Sequence, residues 1–224
     1  MRTKRIDVRK MGPADIDAAL PIVEEVYLKE KGWIPGVARE MLEREFALGA
    51  RVSWFLAEYE GAPAGLLRLY YDPELKIPEE YEASFVPGFE PEKLASIGKF
   101  VEIGRFMIRR EYRGKLLVSL RLMRAAVKEV IERDYTHFIT DVFEGEATSP
   151  FNFHTRLLGF EVIGRHLRGE LNCSCARIIL SLDILKAYKR LKKSRSKTVE
   201  SITGGLDELF EKRLREHGIE EGVA

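Results

Sequence analysis

The stretch from 101 to 130 constrains this chain more than any other. Val101-Glu-Ile-Gly-Arg-Phe-Met-Ile reads as a strand and residues 109–115 as a short basic turn. Leu116, Leu120, Met123, Val127 and Val130 then fall on one face of a helix. A helix start offers unpaired N–H groups and a positive dipole end, which together receive an anion. Arg113, Gly114 and Lys115 sit at this junction, a candidate phosphate site. The plainer alternative is a solvated turn before an ordinary helix.

The flanking pattern alternates strands and helices. Residues 5–9 read as a strand, 14–31 and 37–48 as helices. Residues 52–59 and 64–71 read as a hairpin broken at Glu60-Gly61-Ala62-Pro63. A connection with four prolines runs from 71 to 97, long enough to expect a functional role. Strands follow at 100–108 and 136–143. A short helix is expected to open at Ser149-Pro150, with Ser149 as N-cap, and to stop at Gly159. Residues 160–165 and 173–182 read as a last strand pair, and 185–191 and 206–214 as tail helices. This order predicts an α/β class chain with a mixed sheet covered by helices. We expect one domain over 1–185 and a basic linker with a helical tail over 186–224.

Composition narrows the function. The 224 residues are 45% apolar and 33% charged with net charge +1, enough for a real core without disulfides and without a field that advertises nucleic acid. Local bias is stronger: residues 105–124 carry seven bases and one acid, and residues 186–197 seven bases and no acid. The basic tail has no interleaved aromatics beyond Tyr188, so no nucleic-acid partner is expected. No run approaches a membrane span, and residues 1–7 lack the apolar stretch of a secretory signal. Cys173 and Cys175, one residue apart in a strand-like run, suit neither a disulfide nor a zinc site, and the four histidines have no metal-ligand spacing. A reducing cytoplasm and no metal are therefore expected. The G-x-S-x-G, Gly-Lys-Ser/Thr phosphate-loop, G-x-G-x-x-G and H-E-x-x-H motifs are all missing, against a hydrolase, P-loop enzyme, dehydrogenase or zincin.

Two residues carry candidate chemistry. Glu102 lies in an otherwise apolar strand, where a carboxylate costs free energy unless it is paired or used as a base with a raised pKa. A salt bridge to Arg68 or Arg105 is the equal alternative. His154, within Ser149-Pro-Phe-Asn-Phe-His, is either a general acid or base or, more commonly, a satisfied hydrogen-bonding group.

The strand, basic turn and helix at 101–130, followed by a strand and a short helix ending in Leu158-Gly159-Phe160, resemble the GNAT acyltransferases over residues 6–182. The resemblance implies a mixed, mostly antiparallel central sheet flanked by helices. It also implies a split between two central strands for a pantetheine arm, and a pyrophosphate on the turn. Of the turn pattern R/Q-x-x-G-x-G/A, Arg113 matches the first position, while Leu116 and Val118 replace the glycines. Thr155 stands where the family often has a tyrosine acid. Glu102-Ile-Gly-Arg-Phe, Val26-Tyr…Gly-Trp33 and Gly65-Leu-Leu-Arg68-Leu are similar to segments of the acyl-homoserine-lactone synthases and bacterial N-acyl amino acid synthases.

This resemblance implies an N-acyltransferase that moves an acyl group from acyl-CoA or an acyl carrier protein to a primary amine such as that of an amino acid. Glu102 would be the base. Phe106, Met107, Ile108, Arg113, Gly114, Lys115, Leu116, Leu117 and Val118 would hold the thioester and its phosphates. Tyr27, Trp33, Arg68, Arg105, Asn152 and His154 would line the substrate sites. The alternatives are an acetyl-CoA-dependent small-molecule acetyltransferase and a catalytically silent acyl-thioester sensor. A homodimer is left open.

Overall fold

The computed structural model describes residues 5–74, 77–146, 149–194 and 196–219; residues 75, 76 and 195, part of the expected connection and basic run, lie outside them. The chain begins with β1 (Ile6–Lys10), α1 (Ile16–Val23) continued by a π-helical turn (Glu24–Glu30), and α2 (Ala38–Phe46). The hairpin β2 (Val52–Tyr59) and β3 (Ala62–Tyr71) follows, then β4 (Ser84–Phe85) and α3 (Leu94–Ile97) within the long connection. β5 (Phe100–Ile108), α4 (Leu116–Glu132) and β6 (His137–Phe143) form the central unit. A second π-helical turn (Phe153–Leu158), β7 (Glu161–His166), β8 (Arg177–Asp183), α5 (Ile184–Lys192), α6 (Lys197–Thr203) and α7 (Asp207–Glu216) complete it.

The eight strands form one sheet in the order β1-β2-β3-β5-β6-β8-β7-β4. Every neighbouring pair is antiparallel except β5 and β6, which run parallel. The mixed, mostly antiparallel sheet is the one expected. The β2–β3 turn holds Glu60 and Gly61 at φ 52° and 85°, the positive pair a two-residue primed turn needs.

Alternation sends successive residues of β2 and β3 to two cores. Trp54, Leu56 and Leu66 pack with Ile22, Val26 and Leu42 under α1 and α2. Phe55, Leu67 and Leu69 pack with Val118, Leu122, Ala126 and Val130 of α4. A fully buried aliphatic side chain of this kind contributes ~1.5–3 kcal/mol.

The parallel pair β5–β6 is short. It is registered only at Phe100↔His137, Val101↔Phe138 and Glu102↔Ile139, and the strands part beyond it. Thr140 Oγ1 donates to the Ile103 carbonyl at 2.8 Å where they separate. The cause is a bulge: the β3–β5 register shifts between Leu66 and Arg68, and Arg105 sits at φ 50°. An extra residue bends its strand, and β5 leans away from β6.

Four expectations need correction. The helix expected over 14–31 contains Pro21 and changes to π-helical hydrogen bonding after Val23. Cys173 and Cys175 precede β8 rather than lying in it, and the Cys175 N–H reaches Cys173 Sγ at 3.3 Å. Ser149 does not cap the short helix, because its buried Oγ has no hydrogen-bond partner. The basic run from 186 is largely helical, in α5 and the start of α6.

The tail helices pack against the fold. Leu185, Tyr188, Ile202, Phe210 and Leu214 join the α4 core, and the Tyr188 and Phe210 rings stack with centroids 4.0 Å apart. Arg213 donates to the Ile131 and Glu132 carbonyls at the end of α4, at 2.9 and 2.7 Å. Arg190 donates to the Leu158 carbonyl at 2.7 Å and covers Gly159. There φ is 80°, and a Cβ would meet Arg190 Nη2 at 1.6 Å, so the Leu-Gly-Phe sequence is a closely covered helix end.

Candidate active site

The parting of β5 and β6 opens a cavity of about 1400 Å³, roofed by α2, the Glu24–Glu30 turn and the connections before β5 and β8. Glu102, Phe106 and Asp141 line it from the sheet. Because Glu102 pairs with Ile139, alternation puts Asp141 on the same face as Glu102.

A chain of alternating charges crosses this cavity. Glu102 accepts from Arg68 Nη2, and Arg68 Nη1 donates to Glu45 Oε2 at 2.7 Å. Arg105 Nε donates to Glu45 Oε1 at 3.1 Å, and its Nη2 to Glu170 Oε2 at 2.8 Å. Burial lifts the Glu102 carboxyl above its ordinary range; Arg68 opposes this and Asp141 adds to it. Burial also pushes Glu45 up, but Arg68 and Arg105 outweigh it and hold Glu45 below the usual range. Glu102 is therefore a salt-bridge partner of Arg68, one of the two readings the sequence left equal, and its carboxyl stays above the ordinary range despite that pairing.

Gly104 makes this crossing feasible. A Cβ there would stand 2.6 Å from Glu102 Oε1 and 2.8 Å from Arg68 Nη2. The missing side chain leaves room for the pair to approach across the strand.

Asp141 forms a second centre with His166 and Arg177, whose nearest nitrogens stand 3.4 and 3.7 Å from Oδ2. Burial raises Asp141, but the His166 hydrogen bond and the Arg177 charge prevail and hold it low. Two acids on one cavity face are thus shifted in opposite directions, a pattern suited to dividing proton transfer from electrostatic positioning.

Apolar walls flank the charges. Trp33 stacks on Phe143 with centroids 4.1 Å apart and meets Tyr27 edge-on at 5.4 Å. Tyr27, Trp33, Arg68, Arg105, Phe106 and Glu102, all marked in the sequence, do converge on the cavity. Met107 and Ile108 reach it at the far end of β5. Asn152 does not line it and is exposed. His154 reaches the cavity wall but is buried, with Nδ1 3.0 Å from the Pro150 carbonyl and its ring edge-on to Phe160. Burial lowers its pKa against that hydrogen bond, as suits a neutral, satisfied histidine.

At the basic turn, Arg113 donates to both Glu30 carboxylate oxygens at 2.7 and 2.6 Å and to the Ile108 carbonyl at 3.1 Å. Gly114 has open space around it, and Lys115 lies 5.7 Å from the Tyr59 ring centroid. Leu116 and Leu117 are exposed at the start of α4. Val118, also in the expected ligand set, has a fully buried side chain, and its N–H is taken by the Lys115 carbonyl at 2.9 Å.

Glu45, Asp141, Glu170 and Arg177 escaped the sequence reading. A signal existed for two of them. Glu45 follows Ala38, Met41 and Leu42 on the buried stripe of α2, and Asp141 interrupts β6 as Glu102 interrupts β5.

A family model described as N-acyl amino acid synthase FeeM matches residues 18–173. The chain belongs to this family. It is an N-acyltransferase of the GNAT superfamily. No curated protein matches the sequence. Among solved structures, FeeM, an N-acyl amino acid synthase from uncultured soil microbes, superposes with TM-score 0.61 and 18% identity, covering 84% of this chain and 95% of that one. An aminoglycoside 6'-acetyltransferase type Ii gives 0.56 and 13%, covering 80% and 97%. The PaiA N-acetyltransferase from Thermoplasma acidophilum, in complex with coenzyme A, gives 0.52 and 15%, covering 80% and 99%. These likenesses show the fold. Among the described residues no helix is long and apolar enough to cross a membrane.

Proposed function

We propose that the protein transfers a medium or long acyl chain from a pantetheine thioester to the amine of an amino acid. The observation that carries this reading is Glu102, a carboxylate with a raised pKa on the cavity wall where β5 leaves β6. The acceptor enters as an ammonium ion, gives one proton to water and reacts as the neutral amine. Its lone pair forms the new C–N bond at the thioester carbonyl while Glu102 takes the proton, directly or through one water. N–H groups near the end of β5 stabilise the oxyanion. The C–S bond then breaks, the sulfur leaves as a thiolate, and the proton taken by Glu102 returns to it through water, which restores the carboxylate. No covalent enzyme intermediate is required.

The donor is acyl-CoA or an acyl carrier protein. Arg113, Lys115 and the start of α4 receive its phosphate, with Leu116 in a glycine position so that side-chain charge replaces close backbone contact. Tyr27, Trp33 and Phe143 form the acyl wall. We assign the reaction to the cytoplasm, where such donors occur.

The test incubates the protein with acyl-CoA and acyl carrier protein donors of graded length and, as acceptors, the common amino acids and their C-terminal amides, and detects products by mass spectrometry. N-acyl amino acids are expected, with kcat/KM rising about fourfold per added methylene while the chain stays in contact with the wall. A preference for acetyl-CoA, or acylation only of amines that lack a carboxylate, overturns the reading.

A further inference from the structure

Arg105 is held by two carboxylates of opposite character. Glu45, on its Nε, has a side chain 7% exposed, whereas Glu170, on its Nη2, has one 71% exposed. The Arg105 side chain is itself only 10% exposed and projects from a bulge at φ 50°. Removing Glu45 would strand buried charge, but releasing Glu170 returns a carboxylate to water at little cost. The guanidinium thus has a fixed inner half and an exchangeable outer half.

Glu170 lies on the connection between β7 and β8, whose backbone is anchored on either side of it. The Leu167 and Arg168 N–H groups donate to the Tyr81 carbonyl at 2.9 and 3.2 Å. The Leu171 carbonyl accepts from Arg177 Nη2 at 2.9 Å, and the Asn172 N–H donates to the Trp33 carbonyl at 2.7 Å. Swinging the Glu170 side chain away therefore moves one carboxylate and leaves the cavity wall in place.

A carboxylate on Arg105, three residues along β5 from Glu102, has the chemistry of the group an amino acid carries beside its amine. We propose that Glu170 is an internal stand-in for the acceptor's α-carboxylate, displaced from Arg105 when the acceptor enters and setting its affinity. This rests on the amino-acid reading above. It has two consequences. Arg105 stays paired in the free enzyme, and an amine without a carboxylate has nothing with which to displace Glu170, so the contact favours carboxylate-bearing acceptors.

Calorimetric titration of the common L-amino acids and their C-terminal amides into wild type, E170Q and E40Q tests this. Glu40 also lines the cavity and is exposed, so E40Q removes a charge of the same sign away from Arg105. We expect E170Q to tighten amino-acid binding about 1.5-fold to fivefold, the range of an exposed ion pair, leaving amide binding and E40Q near wild type. Unchanged or weaker amino-acid binding by E170Q, an equal gain for the amides, or an equal gain in E40Q overturns the inference and leaves the amino-acid reading standing. Binding of amides but of no amino acid, or no binding at all, overturns both.

Discussion

Arg68 on β3 and Glu45 on α2 meet in a buried ion pair, Nη1 to Oε2 at 2.7 Å, with both side chains under a tenth exposed. The pair ties the roof of the cavity to the middle of its sheet. Glu45 also serves Arg105, so one carboxylate is shared by two guanidinium groups.

E45Q should therefore destabilise the fold by about 3–5 kcal/mol, because it removes the buried carboxylate they share and leaves Arg68 and Arg105 only the more exposed Glu102 and Glu170. The pKa of Glu45 is depressed in the folded state, so its stabilisation is fully present above the unfolded value and is lost as pH falls through the folded one. Urea unfolding across acidic pH should show this loss in wild type and a shallower one in E45Q. Equal stability of the two proteins at neutral pH would mean that the pair contributes nothing.

Glu102 has the opposite sign. Its folded pKa is raised, so the base form is lost at a higher pH than for an ordinary glutamate. The acid limb of kcat/KM, which reports the free enzyme, should lie above the usual carboxylate range. E102Q should lower kcat about 10²–10⁴-fold and abolish that limb. Retention of near wild-type kcat at neutral and high pH would remove Glu102 from catalysis and favour a salt-bridge or sensor role.

The turn gives a KM prediction. Arg113 is neutralised by both Glu30 oxygens, which a phosphate must replace. E30Q should lower KM for the donor, and R113A with K115A should raise it, each with little change in KM for the acceptor. Both substitutions acting equally on the two substrates would mean that the turn is structural.

The strand–turn–helix unit and the hairpin were legible because their periodicities are local and their turn residues specific. Glu102 was legible because charge is conspicuous in an apolar strand. The partners of Arg105 were not, since Glu45 and Glu170 lie 60 and 65 residues away, and only the folded chain brings them to the bulge. The bulge itself left no sign: φ is positive at Arg105 and not at the adjacent Gly104. The tail was legible as helices, but the burial of Tyr188 and Phe210 depends on a groove built by α4 and β8, which no tail residue announces.

That burial changes how the basic tail must be tested. Truncation after Leu185 would remove Tyr188, Ile202, Phe210 and Leu214 from the core and strip Arg213 from the end of α4. Each large apolar side chain contributes ~1.5–3 kcal/mol, against a total stability of ~5–15 kcal/mol for a typical domain. The truncated chain should therefore lose cooperative thermal unfolding, and its activity with every donor. Charge reversal separates docking from folding. Lys186 and Lys193 are exposed, so K186E with K193E should fold with a Tm near that of wild type. If an acidic acyl carrier protein docks on this surface, the double variant should slow turnover with that donor, most at low salt where steering is strongest, and leave turnover with acyl-CoA unchanged. Equal turnover by wild type and the variant with both donors would remove this surface from donor recognition.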